Sequence, residues 1–80
     1  MERNEILSQV ETIFKAVLKN DSLVLTDDSS AESVPGWDSL THVTLIAQIE
    51  KHFGIKFTLR EMLSWKSVGK MVDSIEKKVA

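Results

Sequence analysis

The sequence contains 80 residues, a length that supports one hydrophobic core and predicts a single domain over residues 1–80. Apolar residues make up 42% of the chain and charged residues 28%, so neither intrinsic disorder nor a fibrous repeat is expected. Cysteine is absent, which excludes disulfides, thiolate metal sites and a cysteine nucleophile.

The net charge of −2 is unevenly distributed along the chain. Residues 20–50 hold six acidic side chains and neither Lys nor Arg, whereas residues 51–80 carry a net charge of +4. This pattern indicates an acidic surface that suits partners with basic patches. No apolar run approaches the roughly 18 residues of a membrane span, and the charged N-terminus has no signal-peptide core. We therefore expect a cytoplasmic protein without membrane association.

The first predicted element is a helix over residues 5–19. Its apolar residues recur at spacings of three and four, which places them on one helical stripe. They are Ile6, Leu7, Val10, Ile13, Phe14, Val17 and Leu18. Asn20 is the residue expected to adopt the left-handed conformation that ends the helix.

A long loop is predicted over residues 21–37, because this stretch has no sustained apolar period and ends in Pro35 and Gly36. The apolar residues Leu23 to Leu25 either belong to a functional loop or pack it down. A second helix is predicted to begin at Asp38 or Ser39 and to end at Gly54. Its apolar stripe is formed by Leu45, Ile46, Ile49 and Phe53.

Two further helices are predicted in the last third of the chain. Thr58 and Glu61 match a capping box, which indicates a short helix over residues 59–63. Ser67 is the expected cap of a fourth helix with apolar residues at helical spacing, namely Val68, Val72, Ile75 and Val79. No hairpin signal supports strands. The predicted fold is an all-α four-helix bundle with three longer helices, a short third helix and a long first loop.

Ser39 is the main candidate for chemistry, because a phosphate ester on its hydroxyl would meet the unpaired amides and the dipole of a helix N-terminus. By position alone, however, Ser and Asp at a helix start are most often plain N-caps, which is the bland explanation of Asp38 and Ser39. Hydrolysis by Ser39 with His42 is not expected, since the surrounding residues lack the Gly-x-Ser-x-Gly elbow. Asp38 and His42 offer at most two metal ligands, so no metal site is predicted.

Nucleic-acid binding is also not expected. The second helix holds only Lys51 against Glu50, and the later lysines are spaced as on an ordinary solvated helix face.

The segment from Val34 to Leu40, which reads Val-Pro-Gly-Trp-Asp-Ser-Leu, resembles the corresponding segment of acyl carrier proteins. The resemblance continues through the whole chain to the helix after Ser67. It implies that a phosphopantetheinyl transferase attaches 4′-phosphopantetheine from coenzyme A to Ser39. The terminal thiol of that arm would hold acyl groups as thioesters, and the protein would be a carrier and not an enzyme. The absence of cysteine agrees with this, because the cofactor would supply the only thiol.

The resemblance also implies roles for residues around Ser39. Asp38 would assist the transferase and its Mg²⁺, or would serve only as the N-cap. Trp65 stands where the family has an aliphatic residue near the end of its acyl pocket, so its bulk either limits the sheltered chain length or fills the core. A partner-binding patch is expected from Leu40, Val43, Thr44, Ala47 and Phe57. Leu40 and Val43 could equally be edges of the core, and Phe57 could be packed inside.

One departure from the fatty-acid carriers is that the outward positions of the second helix are not acidic. They are Thr41, Thr44, Gln48 and Lys51. We therefore expect a carrier other than the housekeeping fatty-acid protein, monomeric and with dedicated acyl-loading and acyl-using enzymes. The alternatives are a carrier of aminoacyl or other non-fatty groups and a cofactor-free helical interaction domain.

Overall fold

The computed structural model describes residues 2–65 and 67–79, and within them every regular element is helical. None of the described helices is both long and apolar enough to cross a membrane. The elements are α1 (Arg3–Leu18), α2 (Ser39–Phe53), α3 (Leu59–Ser64) and α4 (Val68–Val79). The predicted all-α fold, with a short third helix and a long first loop, is confirmed.

The C-terminus of α1 differs from its prediction. Lys19, and not Asn20, adopts the left-handed conformation, with φ of 54° and ψ of 47°. The amides of Lys19 and Asn20 both donate to the carbonyl of Lys15, which compensates the strain of a left-handed non-glycine residue. The Asn20 side chain serves the following turn instead, since its Oδ1 accepts from the amide of Ser22 at 3.2 Å.

The core lies where α1 packs against α2 and α4. Each of these helices contributes the apolar stripe predicted from its spacing. Their fully buried residues are Ile6, Val10, Phe14, Leu45, Ile49, Val68, Met71, Val72 and Ile75. Helix α3 buries none of its residues completely and contacts α4 at the edge of this core.

The long loop between α1 and α2 is packed onto the bundle by its own apolar side chains. Leu23, Leu25, Val34 and Trp37 are buried in the same core cluster as the helices, whereas Val24 is 72% exposed. The amide of Leu25 donates to the Glu11 carboxylate on α1 at 2.9 Å. Two of the three apolar residues, Leu23 and Leu25, therefore pack the loop down.

Backbone carbonyls of the loop also satisfy the start of α4. The Val68 amide donates to the carbonyl of Ser29 at 2.7 Å, and the Gly69 amide donates to that of Asp27 at 2.9 Å. Helix α4 begins directly after Ser67, as predicted, but its first two amides are thus capped by the loop.

Arg3 reinforces this junction between the loop and the two terminal helices. Its guanidinium lies 3.3 Å from the Asp27 carboxylate of the loop and contacts Asp73 and Glu76 on α4. It also donates to the Gly69 carbonyl at 3.1 Å. The hydrogen bond to Asp73, together with the charges of Asp27 and Asp73, raises the pKa of Arg3.

The close approach of the loop to α4 requires glycine at position 69. A Cβ built on Gly69 would lie 2.9 Å from the Asp27 carbonyl oxygen, which is too close for ordinary contact with a backbone atom. We predict that Gly69→Ala lowers the free energy of unfolding by about 1–3 kcal/mol, the usual cost of overpacking. Urea denaturation followed by circular dichroism would measure it.

Lys70→Ala is the matched control, because Lys70 is the adjacent, exposed residue of the same helix. It should change the free energy of unfolding by less than about 0.5 kcal/mol. A Gly69→Ala protein as stable as the wild type would show that the loop is not held tightly against α4.

Candidate functional site

Ser39 is the first residue of α2, and Asp38 is its N-cap. The Asp38 carboxylate accepts from the amides of Leu40 at 2.9 Å and Thr41 at 3.0 Å. In return, the Thr41 hydroxyl accepts from the Asp38 amide at 2.8 Å, which completes a reciprocal capping box. The backbone hydrogen bond from Thr41, assisted by that from Leu40, lowers the pKa of Asp38. Asp38 is therefore a structural cap that stays ionised at neutral pH.

The turn before α2 sets the direction in which Ser39 points. Gly36 has a φ of +86°, a conformation that L side chains rarely adopt, and its carbonyl accepts from the Thr41 hydroxyl at 2.8 Å. Trp37 is only 8% exposed, whereas Asp38 and Ser39 are exposed. The turn thus inserts an indole into the core and leaves the next two side chains outside it.

The Ser39 hydroxyl is available for modification. The side chain is exposed, and its oxygen makes no hydrogen bond to any residue in the described ranges 2–65 and 67–79. It stands at the N-terminus of α2, where the helix dipole favours an anionic group. These features fit a phosphodiester on Ser39, and no rearrangement of the protein is needed to expose the oxygen.

An aromatic cluster lies beside Ser39. The Trp37 indole N–H donates to His42 Nδ1 at 3.0 Å, and the two rings stack with centroids 5.9 Å apart. The His42 ring meets Trp65 edge to face at 6.3 Å, and Trp65 meets Phe57 in the same way at 4.8 Å. Together with Ala31 and the start of α2, the rings of Trp37, His42 and Trp65 line a cavity of about 280 Å³.

The sequence interpretation missed this use of His42. The sequence favours a histidine at the surface or the edge of the core over a catalytic base or a metal ligand, but it does not predict the contact with Trp37. The Nδ1 atom already accepts from Trp37, so it cannot also bind a metal, and no cluster of three metal-binding side chains occurs in the described part of the chain. Trp37 and His42 lie five residues apart across a helix start, a spacing that by itself signals no contact.

The residues predicted for partner binding are divided by the structure. Leu40 is 80% exposed and Val43 is 68% exposed, and Thr44 and Ala47 are exposed beside them on α2. Leu40 and Val43 are therefore surface residues and not edges of the core.

Phe57 and Trp65 are placed differently. Phe57 is only 8% exposed and packs against Trp65, so its ring faces inward, as the alternative interpretation expects. Trp65 is half-buried, and its indole N–H donates to the Ser74 hydroxyl at 2.9 Å. It forms a wall of the cavity beside Ser39.

Comparison with known proteins first defines the class. The family model described as "Phosphopantetheine attachment site" matches residues 8–75. The chain therefore belongs to this family of phosphopantetheine-binding proteins.

Relatives then identify the branch of the family. The chain is 34% identical over 77 residues to an acyl carrier protein of Thermotoga maritima, covering 96% of this chain and 95% of that protein. It is 32% identical over 80 residues to one from Thermosynechococcus vestitus, covering 100% and 99% of the two chains. The solution structure of a holo acyl carrier protein from Geobacter metallireducens matches with a TM-score of 0.87 and 42% identity. That match covers 92% of this chain and 85% of the Geobacter chain.

The chain is thus a member of the acyl carrier protein family, and the predicted family and prosthetic group are confirmed. Proteins of this family carry acyl groups on 4′-phosphopantetheine and are not enzymes. They interact with a phosphopantetheinyl transferase and with acyl-handling enzymes.

The environment of His42 predicts a pH dependence of stability. Burial lowers the pKa of His42 below its ordinary value, so the unfolded chain binds a proton more readily than the folded one. The His42 contribution to the free energy of unfolding is complete above a pH of about 6.5 and is lost as the pH falls towards the lower folded pKa. Urea denaturation between pH 7.5 and about 5.5 would measure this loss, in a range above the ordinary pKa values of carboxylates.

His42→Asn is the informative variant, because the amide oxygen can accept from Trp37 without titrating. It should show a shallower dependence of stability on pH than the wild type. His52→Asn, which leaves His42 in place, should retain the His42 contribution. Equal slopes in the wild type and His42→Asn would contradict the prediction.

Proposed function

We propose that Ser39 is the residue that carries the 4′-phosphopantetheine arm. The observation that supports this most directly is the exposed Ser39 hydroxyl, free of hydrogen bonds to the described residues, at the first turn of a capped helix. Other exposed serines of the chain lack a position at the N-terminus of a long helix. The turn from Val34 to Asp38 holds this hydroxyl at the surface while Trp37 anchors the backbone beneath it.

The modification forms one bond and breaks one bond. The Ser39 oxygen becomes bonded to the phosphorus of the phosphopantetheine unit, while the pyrophosphate bond of coenzyme A breaks and adenosine 3′,5′-bisphosphate leaves. The hydroxyl proton passes to a base on the transferase or to solvent. Asp38 remains ionised beside the reacting oxygen and can favour the Mg²⁺ that neutralises the phosphates.

Once attached, the 4′-phosphopantetheine group supplies a terminal thiol, and this thiol holds acyl groups as thioesters. The remaining tasks belong to residues of the chain. Helix α2 holds Ser39 at the surface, the capping box fixes the helix start, and the core gives the arm a rigid base. We further propose that residues 1–80 act as one monomeric domain in the cytoplasm.

Substitution of Ser39 tests the attachment site. The protein should gain one phosphopantetheinyl group when incubated with coenzyme A, Mg²⁺ and a broad-specificity transferase, and Ser39→Ala should abolish the gain. Intact-mass spectrometry measures both results. Circular dichroism should show that the variant folds, because Asp38 and Thr41 keep the cap of α2.

Ser8→Ala is the matched control, since Ser8 is also exposed but lies within α1. It should be modified as fully as the wild type. Modification of Ser39→Ala would refute the assignment, and failure of the wild type with several transferases would favour a cofactor-free interaction domain.

We also propose a partner-binding surface on the outer side of α2. Leu40, Val43 and Ala47 recur at spacings of three and four, so they share one face of the helix with Thr44 beside them. Their exposure leaves an apolar strip that starts next to Ser39. Buried apolar side chains at the centre of an interface provide most of its binding free energy.

The acidic residues lie around this strip and not on it. Asp28 and Glu32 of the long loop are exposed, and Ala31 between them lines the cavity beside Ser39. Partners with basic patches can therefore approach from the loop side while an apolar patch covers α2. Such exposed charges mainly raise the rate of association and select among partners.

Leu40→Ala tests the apolar strip. We expect kcat/KM of the transferase for the apo protein to fall about 5- to 20-fold, which corresponds to a contact of about 1–2 kcal/mol. Val24→Ala is the control, because Val24 is 72% exposed on the loop. It should change kcat/KM less than twofold, and equal effects of the two substitutions would contradict the proposal.

The lack of acids on the exposed positions of α2 favours dedicated partners over the general fatty-acid machinery. Thr44, Gln48 and Lys51 are exposed along this helix, so its surface is neutral to basic. Aminoacyl or other non-fatty cargo would use the same attachment chemistry. Mass spectrometry of the thioester on protein purified from its native cells distinguishes these cargoes.

A further inference from the structure

The cavity beside Ser39 has the features of a preformed binding site. Trp37 is held by an edge-to-face contact with Phe14 at 5.0 Å and by its hydrogen bond to His42. Trp65 is held by Phe57 and by its hydrogen bond to Ser74. Each indole is thus fixed by at least two contacts, so the cavity does not depend on loosely placed side chains. Binding of a ligand in this cavity would therefore cost little conformational entropy, because the side chains of Trp37 and Trp65 are already ordered.

The walls combine aromatic surface with one hydrogen-bond donor. Because His42 Nδ1 accepts from the Trp37 N–H, the neutral imidazole carries its proton on Nε2. Nε2 has no hydrogen-bond partner among residues 2–65 and 67–79, and no side-chain nitrogen in those ranges is both buried and unsatisfied. His42 Nε2–H is therefore accessible and can donate to a carbonyl or phosphate oxygen.

The size of the cavity limits what it can hold. A volume of about 280 Å³ corresponds to roughly nine water molecules at about 30 Å³ each. It lies below the usual range of about 300–1,000 Å³ for sites that enclose a drug-sized ligand. This open cleft can therefore accommodate one branched apolar unit with an adjacent polar group, and not a complete arm with its cargo.

We propose that this cavity binds the part of the phosphopantetheine arm nearest to Ser39. The indoles of Trp37 and Trp65 would contact its dimethyl group, and His42 Nε2–H would donate to the neighbouring carbonyl or phosphate oxygen. The inference rests on attachment at Ser39, which lines the same cavity as these three residues. Trp65 is then a wall of the arm site, and the carried acyl group lies outside the cavity.

The tether makes weak binding sufficient. An attached ligand is present at an effective concentration of about 1 mM, so a site with a Kd of about 1 mM is occupied about half of the time. Such occupancy restrains the base of the arm between encounters and still allows a partner enzyme to draw the arm out. The residues that set the occupancy of the cavity are different from the residues of the α2 strip that would contact the partner.

The two tryptophans of the chain both line the cavity, which provides a direct measurement. The ¹⁵N-labelled protein would be converted to its holo form, with complete loading verified by intact mass. We expect nuclear Overhauser contacts between the arm's methyl protons and the indole protons, together with shifts of both indole N–H signals relative to the apo protein. A shift limited to the α2 backbone, with unchanged indole signals, would overturn the proposal.

Ala31→Leu blocks the cavity without removing a core side chain, because Ala31 is exposed and lines the cavity from the loop. It should still be loaded at Ser39 but should lose the methyl-to-indole contacts. Ala16→Leu is the matched control, since Ala16 is exposed on α1 beside a different cavity, and it should keep them. Retention of the contacts in Ala31→Leu would contradict the proposal.

Substitutions of His42 test the donor separately from the indoles. His42→Asn keeps an acceptor for Trp37 but lacks the Nε2–H, so its apo-to-holo indole shifts should be smaller than those of the wild type. Wild-type-sized shifts in His42→Asn would exclude the proposed donor role. A holo protein that is fully loaded but shows no indole change refutes the arm site alone, whereas absence of loading refutes the attachment at Ser39.

Discussion

The structure depends on the way in which the long loop is fastened to the ends of the helices. The amides of Val68 and Gly69 donate to loop carbonyls, and Arg3 joins the Asp27 carboxylate to α4. These bonds satisfy the first amides of α4, which have no partner within the helix, and fix the loop against it at the same time. The loop is therefore a structural layer of the bundle, and it leads directly into the start of α2.

The packing of the loop against the helices also fixes the residues around Ser39. Trp37 enters the core at the end of the loop, and the following two residues emerge as the cap and the first residue of α2. Because the buried Trp37 indole holds the backbone close to Ser39, the exposed Ser39 hydroxyl has a fixed position at the surface. A carrier needs this combination, because the attached arm must move while the partner enzyme recognises a fixed surface around its root.

Apolar and acidic residues occupy different parts of the surface, and they can contribute to partner recognition in different ways. The outer face of α2 presents Leu40 and Val43, whereas exposed acids such as Asp28 and Glu32 lie in the loop. Apolar contacts provide affinity over short distances, and the acidic loop acts over about a Debye length of 8–10 Å during approach. The aromatic cavity beside Ser39 is a third, separate feature, which we propose for the arm and not for the partner.

The sequence alone determined the helices, their buried stripes, the N-cap at Asp38, the capping box at Thr58, and the position of Ser39 at a helix start. These features depend on neighbours within about four residues, so spacing and residue type are sufficient to predict them. Only the tertiary structure decided that Phe57 packs inside and that Trp37, His42 and Trp65 form one cavity. Such contacts join residues from separate elements, and their geometry is set by how the loop and helices pack together.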